Sequence, residues 1–112
     1  MSVPTKRKRK HEDKVSKTID KVLREIFGHQ ARLLIYKYIE THYSLRQDEI
    51  PEKIDAFAKG LEEYLNSGAH VVETKILEEL YSSYGLIQRR ELERRRDEND
   101  FSSQIRMLMR IR

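Results

Sequence analysis

The chain contains no cysteine and no tryptophan, and only two prolines and four glycines among 112 residues. Without cysteine there are no disulfides and no thiolate metal sites, which fits a reducing compartment. Nowhere does an apolar run approach the roughly 18 to 20 residues that span a bilayer. The opening MSVPTKRKRK is basic, but no apolar stretch follows it, so a secretory signal is not expected. There is no HExxH, no phosphate-cradling glycine loop and no nucleophile elbow. These absences point away from an enzyme, and no cofactor is expected. A cytoplasmic location and no membrane partner are the matching expectations.

What is present is charge, unevenly placed. Residues 1–14 hold six Lys/Arg against Glu12 and Asp13, a net +4. Residues 15–86 are mildly acidic at −3, and residues 87–112 return to +3. Three parts follow: a basic flexible arm over 1–14, a helical domain over 15–86, and a basic C-terminal helical extension over 87–112. The high charged fraction and absent cysteine would also suit a thermophile.

The middle is a repeat. Residues 23–44 and 61–82 align without a gap at an offset of 38, with seven identities: Leu23/Leu61, Glu25/Glu63, Ala31/Ala69, Lys37/Lys75, Glu40/Glu78, Tyr43/Tyr81 and Ser44/Ser82. Each unit reads as helix, tight turn, helix. Val15, Ile19, Val22, Leu23 and Ile26 share the first apolar face. Ala31, Leu34, Ile35, Tyr38, Ile39 and His42 are assigned to the second. Pro51 stands near the first turn of the third helix, whose stripe is Ile54, Phe57, Ala58, Leu61 and Leu65. Ala69, Val72, Ile76, Leu77 and Leu80 face inward from the fourth. Gly28 and Asn66 occupy equivalent places, so both are expected to be left-handed helix stops. His29 and Ser67 follow as candidate N-caps, and Gly85 as the last stop. Phe101, Ile105, Leu108 and Met109 then mark a short final helix, capped by Asp100 or Ser102. The expected fold is all-α: two helix-turn-helix repeats in a small bundle, plus a basic C-terminal helix.

The pattern Leu23-x-x-Ile26-Phe27-Gly28-x-x-Ala31, the stretch YSLRQDEIPEKIDAFAKGLEEYL and the stretch GAHVVETKILEELYSSYGL resemble the NitrOD-type archaeal helical domain, a small family of proposed output or regulatory modules. The resemblance covers about residues 15–87 and not the basic ends. Asn66 departs from the second glycine of that pattern. The resemblance implies an archaeal, intracellular, all-helical protein and brings no catalytic residues.

Two basic blocks are the candidate binding residues: Lys6, Arg7, Lys8, Arg9 and Lys10, and then Arg89, Arg90, Arg94, Arg95 and Arg96. Each phosphate neutralised by such residues releases a counterion, and guanidinium grips phosphate in a bidentate fork. The plainer readings are a solvated tail for the first block and an ion-pair-laced helix for the second, since Glu91, Glu93, Asp97 and Glu98 interleave. Together the blocks favour contact with nucleic acid, RNA ahead of DNA, or with a ribonucleoprotein. Neither supplies a base-reading motif, so contact is expected to be sequence-independent. The alternative is a protein-interaction or regulatory module, a homo-oligomer formed through the C-terminal helix.

Tyr36, Tyr38, Tyr43, Tyr64, Tyr81 and Tyr84 suggest base stacking, but packing beside the core is the expected role. His11, His29, His42 and His70 lack metal-ligand spacing, so no metal is expected. Glu73 falls inside an apolar stripe and needs a partner or a raised pKa. His42 or a tyrosine hydroxyl is the expected partner; a position at the stripe edge, reaching water, is the plainer one.

Overall fold

The structure, a computed structural model, describes residues 6–85 and 100–110, with side chains described from His11 onward. Val15, Ile19, Val22 and Leu23 recur at helical spacing and are almost fully buried, which fixes the inner face of helix α1 (Lys6–Phe27). The helix begins at Lys6. The expected flexible arm over 1–14 is therefore, from Lys6, the continuous N-terminal part of the longest helix. Ile26 is expected on the core face, yet it is 41% exposed, and its neighbour Phe27 packs against the core instead.

A single residue reverses the chain. The Gly28 N–H donates to the Arg24 carbonyl at 2.9 Å, and the Gly28 carbonyl accepts from the Arg32 N–H at 3.1 Å. It thus closes α1 and opens α2 (His29–Tyr43). Its φ of 90° is positive as expected, but its ψ of 173° is extended, not left-handed helical. Only glycine holds that region readily. Asn66 makes the equivalent reversal with φ 54° and ψ −126°, again outside the left-handed helical well. The residue in that well is Ser44, with φ 51° and ψ 41°, at the end of α2.

Helix α2 buries Ile35 and Ile39, while Leu34 is 56% exposed and His42 points to solvent. The expected face was wrong by part of a turn. Leu33, Leu34, Ile35, Tyr36, Tyr38 and Ile39 surround the helix, so periodicity alone cannot choose a side. The choice is made by α1: Asp20 accepts hydrogen bonds from the Arg32 guanidinium and, at 3.0 Å, from the Tyr36 hydroxyl.

The connection from α2 to α3 is ordered by Leu45 and Ile50, both buried, and by a 3₁₀ turn over Gln47–Glu49. The Glu49 carboxylate accepts the Arg46 N–H at 3.0 Å. Pro51 lies in the turn before α3 (Ile54–Leu65), rather than in its first helical turn. Ile54, Phe57, Ala58 and Leu61 are buried as expected. Gly60 is buried too, and a Cβ there would sit 2.8 Å from Ile39 Cγ1. Its bare backbone lets α2 and α3 approach.

Helix α4 (Gly68–Ser83) buries Ala69, Val72, Ile76, Leu77 and Leu80 as expected, and Tyr81 as well. Ser67 occupies the N-cap position of α4 but makes no side-chain cap bond, and His29 is not an N-cap: it is the first residue of α2, and Gly28 holds the N-cap position. Helix α5 (Phe101–Met109) starts on Asp100, whose Oδ1 accepts the Ser103 N–H at 2.9 Å.

Helix α1 packs on α4 and α2 packs on α3, so exchanging the two hairpins reproduces the same arrangement. The internal repeat is thus also a repeat in space. Helix α5 packs on α4, α3 and α1, with Phe101, Ile105 and Leu108 in the same core. This part of the expected C-terminal extension is a structural member of the bundle. Among the described residues the fold is all-α, and no helix is long and apolar enough to cross a membrane.

Candidate functional site

The basic pentad Lys6–Lys10 occupies the first turns of α1, and only its backbone is described. Arg89, Arg90, Arg94, Arg95 and Arg96 lie outside the described residues. The pentad is continuous with a helix whose outer side stays cationic. Lys17, Lys21 and Arg24 are exposed and Lys14 is half-buried. Sequence reasoning stopped at the pentad and missed these four. Their signal was present as the spacing 14, 17, 21, 24, which repeats every three or four residues and keeps one helical face.

Acidic neighbours are partly occupied. Lys21 Nζ donates to Glu79 Oε1 at 3.0 Å, and this hydrogen bond, before the nearby Glu79 and Glu25 charges, raises the lysine pKa. Lys14 Nζ stands 4.5 Å above the Tyr84 ring, a cation–π distance. Asp20 is engaged by Arg32 and Tyr36. A shallow groove of about 340 Å³ runs beside this face, between Lys14, Lys17, Lys21 and Glu79.

The second feature is a cleft of about 710 Å³ where α3, α4 and the start of α5 meet, with Tyr43 at its edge. Asp55, Glu62, Glu73 and Asp100 line it alongside Lys59 and His70. Glu73 is half-buried, and its Oε2 is buried with no hydrogen-bond partner among the described residues. Burial, then the charges of Glu62 and Asp100, push its carboxyl up to about 7. The expected partners do not reach that oxygen. His42 Nδ1 lies instead 2.9 Å from the Tyr38 carbonyl, and its ring stacks on Tyr38 at 4.0 Å. Asp55 is paired with Arg106 at 2.8 Å. Asp100 is held below the usual carboxylate range by the Ser103 N–H. Among the described residues no three His, Cys, Asp or Glu side chains gather to hold a metal ion.

The tyrosines are tied down. Tyr36 bonds Asp20, Tyr38 bonds Glu63 at 3.3 Å, Tyr81 bonds Gln104, and Tyr84 OH lies 2.8 Å from His11 Nδ1. The Tyr43 hydroxyl is pushed to about 12, chiefly by its hydrogen bond to Glu63. Tyr64 is the exposed ring among the described tyrosines. Two pairs of exposed apolar side chains follow the repeat, Ile26 and Tyr64 at 41% and 40%, and Leu33 and Val71 at 48% and 63%, whereas Leu34 is exposed and its equivalent Val72 is buried.

Compared with known protein families, curated proteins and solved structures, the chain has no match.

Proposed function

We propose that this protein is a non-enzymatic helical module that docks on nucleic acid or a ribonucleoprotein, without reading sequence, through its basic segments. The observation that carries this reading is the placement of Lys6–Lys10 on the helix that runs through the core. A cationic cluster in a helix loses less conformational freedom on binding than one in a coil. The middle of the chain is acidic overall, so its net charge does not supply the attraction, and any polyanion affinity comes from locally basic segments. A titration of duplex and single-stranded RNA and DNA at two salt concentrations tests it. Binding that weakens steeply with salt is expected; no binding at low salt overturns it.

A second reading, a protein-interaction module, is favoured by the repeat-equivalent exposed pairs Ile26/Tyr64 and Leu33/Val71. Helix α5 is a poor centre for self-association, since its apolar residues face inward. Sedimentation velocity over a wide concentration range tests this reading, with Leu33→Ser and Val71→Ser as the variants that abolish any oligomer.

A further inference from the structure

We infer that the outer face of α1 is a straight phosphate-tracking surface for a nucleic-acid duplex, formed by Arg7, Lys10, Lys14, Lys17, Lys21 and Arg24. This rests on the nucleic-acid reading but assigns a surface that the two basic blocks do not describe. The six residues follow one another at intervals of three, four, three, four and three. On an α-helix of 3.6 residues per turn that spacing keeps them on one side. The helix is unbroken from Lys6 to Phe27, so at 1.5 Å per residue the row is about 26 Å long with a cation roughly every 5 Å. Duplex nucleic acid presents a phosphate about every 3.4 Å of axis on each strand, a density that a flexible lysine or arginine side chain can meet.

Part of the face is open: Lys17, Lys21 and Arg24 are exposed, and Lys14 is half-buried. The opposite side of α1, carrying Val15, Ile19, Val22 and Leu23, is buried in the core. The described side chains of the row, Lys14, Lys17, Lys21 and Arg24, lie off that buried face, with Lys14 over Tyr84 and Lys21 against Glu79. That same burial argues against a membrane, because no apolar face of α1 remains to enter lipid. Four acids stand beside the row: Asp13, which lines the same groove, Glu25, whose charge acts on Lys21, and Asp20 and Glu79. Asp20 is engaged by Arg32 and Tyr36, and the Lys21–Glu79 pair is solvent-accessible, at 53% and 29% exposure. Exposed pairs of this kind hold by less than about 1 kcal/mol and exchange readily for a phosphate.

A duplex is favoured over a single strand because, among the described residues, no fully exposed aromatic ring stands in the row. Single-strand sites place aromatic rings among their cations. Here Tyr84 lies beneath Lys14, and Tyr64, the exposed tyrosine, is on α3. The straightness of the row also matches a stiff ligand.

The test compares the full chain with Lys14→Gln/Lys17→Gln/Lys21→Gln and with a charge-matched control, Lys37→Gln/Lys53→Gln/Lys59→Gln, whose three lysines are exposed on other elements. Circular dichroism and thermal melting first establish that both variants fold. Binding is then measured across a salt series with 20-bp RNA and DNA duplexes, a single strand of mixed sequence, and polyglutamate. If three phosphate contacts are lost, the logarithmic salt slope on the DNA duplex flattens by about 2.7, at 0.9 per contact, and the control keeps its slope. Unchanged slopes in the α1 variant, with duplex binding intact in the parent chain, overturn the α1 surface and leave the nucleic-acid reading standing. Equal flattening in the control reduces the effect to net charge and also overturns it. Tighter binding to the single strand, or to polyglutamate, replaces the duplex with that ligand class. No binding to any nucleic acid removes both readings.

Discussion

The Tyr81 hydroxyl donates to Gln104 Oε1 at 3.1 Å inside the core, tying α4 to α5. Both residues are buried, so neither group can turn to water instead. Tyr81→Phe removes this donor, and leaving a buried acceptor short of a hydrogen bond costs about 1–3 kcal/mol. Tyr81→Phe/Gln104→Leu removes both polar groups and is expected to lie closer to the parent protein. Urea denaturation of the two single variants and the double variant measures the coupling. Strict additivity of the two losses would show that the bond contributes nothing to holding α5.

Gly60 is the glycine at which an added methyl group would collide with a neighbour. Its ideal Cβ meets Ile39 Cγ1 at 2.8 Å and Tyr43 Cε2 at 3.4 Å. The helix propensity of alanine favours Gly60→Ala by about 1 kcal/mol, whereas overpacking opposes it by about 1–3 kcal/mol. A net loss of stability is expected. Ile39→Ala should relieve the clash, so that Gly60→Ala becomes harmless or favourable in that background. A Gly60→Ala protein melting above the parent would refute the close approach of α2 and α3.

The two hairpin turns predict opposite responses. Gly28 at φ 90° and ψ 173° lies where a side chain is strained, so Gly28→Val and Gly28→Asn should each cost about 1–3 kcal/mol. Nothing lies within 4 Å of the added Cβ, so that cost is backbone strain and not collision. Asn66, with φ 54° and ψ −126°, carries such strain already. Asn66→Gly should raise the melting temperature, with the relief of about 1–3 kcal/mol reduced by roughly 0.5–1 kcal/mol of glycine entropy. Equal melting temperatures for Gly28→Asn and the parent protein would contradict this account.

These turns show what was legible in the sequence and what was not. The 38-residue offset exposed the repeat, and with it the equivalence of Gly28 and Asn66. It could not set ψ, because positive φ is compatible with several backbone wells. The apolar stripes of α3 and α4 were readable because polar residues occupy their other sides. The face of α2 was not, since Leu33 and Leu34 look as apolar as Ile35, and the Asp20–Arg32–Tyr36 contact that orients the helix is tertiary. Helix α5 looked like an appendage because only its partners on α1, α3 and α4 reveal it as core. The cations on α1 are legible as a spacing of three and four, but a contiguous pentad is the stronger signal in a linear sequence.

Glu73 makes stability depend on pH with a definite sign. Its carboxyl titrates near 7 in the folded state, against an ordinary value of 4.5. Between those values the folded protein holds a proton that the unfolded chain has released. The stability tied to that proton is therefore present below about 4.5 and is lost as pH rises through about 7. Glu73→Gln keeps the shape and removes the titration. It should melt above the parent protein at pH 8, and the gap should close as pH approaches 4.5. A gap that is constant with pH would place the carboxylate in ordinary solvent.

The N-terminal end of α1 has a defined point at which truncation begins to matter. His11 Nδ1 meets the Tyr84 hydroxyl at 2.8 Å, their rings lie 5.6 Å apart, and Lys14 Nζ stands over the same ring. A boundary at residue 14, drawn from apolar spacing alone, cuts through these contacts. Deleting residues 1–10 leaves both side chains in place and is expected to change the melting temperature little. Deleting residues 1–14 removes the cation–π contact, about 0.5–1 kcal/mol at a partly exposed site, and the hydrogen bond, about 0.5–1.5 kcal/mol. It also frays the turn before Val15, which is fully buried. The shorter deletion should therefore melt close to the parent chain and the longer one several degrees lower, with Tyr84→Ala in the full-length chain reproducing much of the difference. If both deletions melt together, the Tyr84 contacts carry no stability, and the cations at the start of α1 can be removed as a unit without cost to the fold.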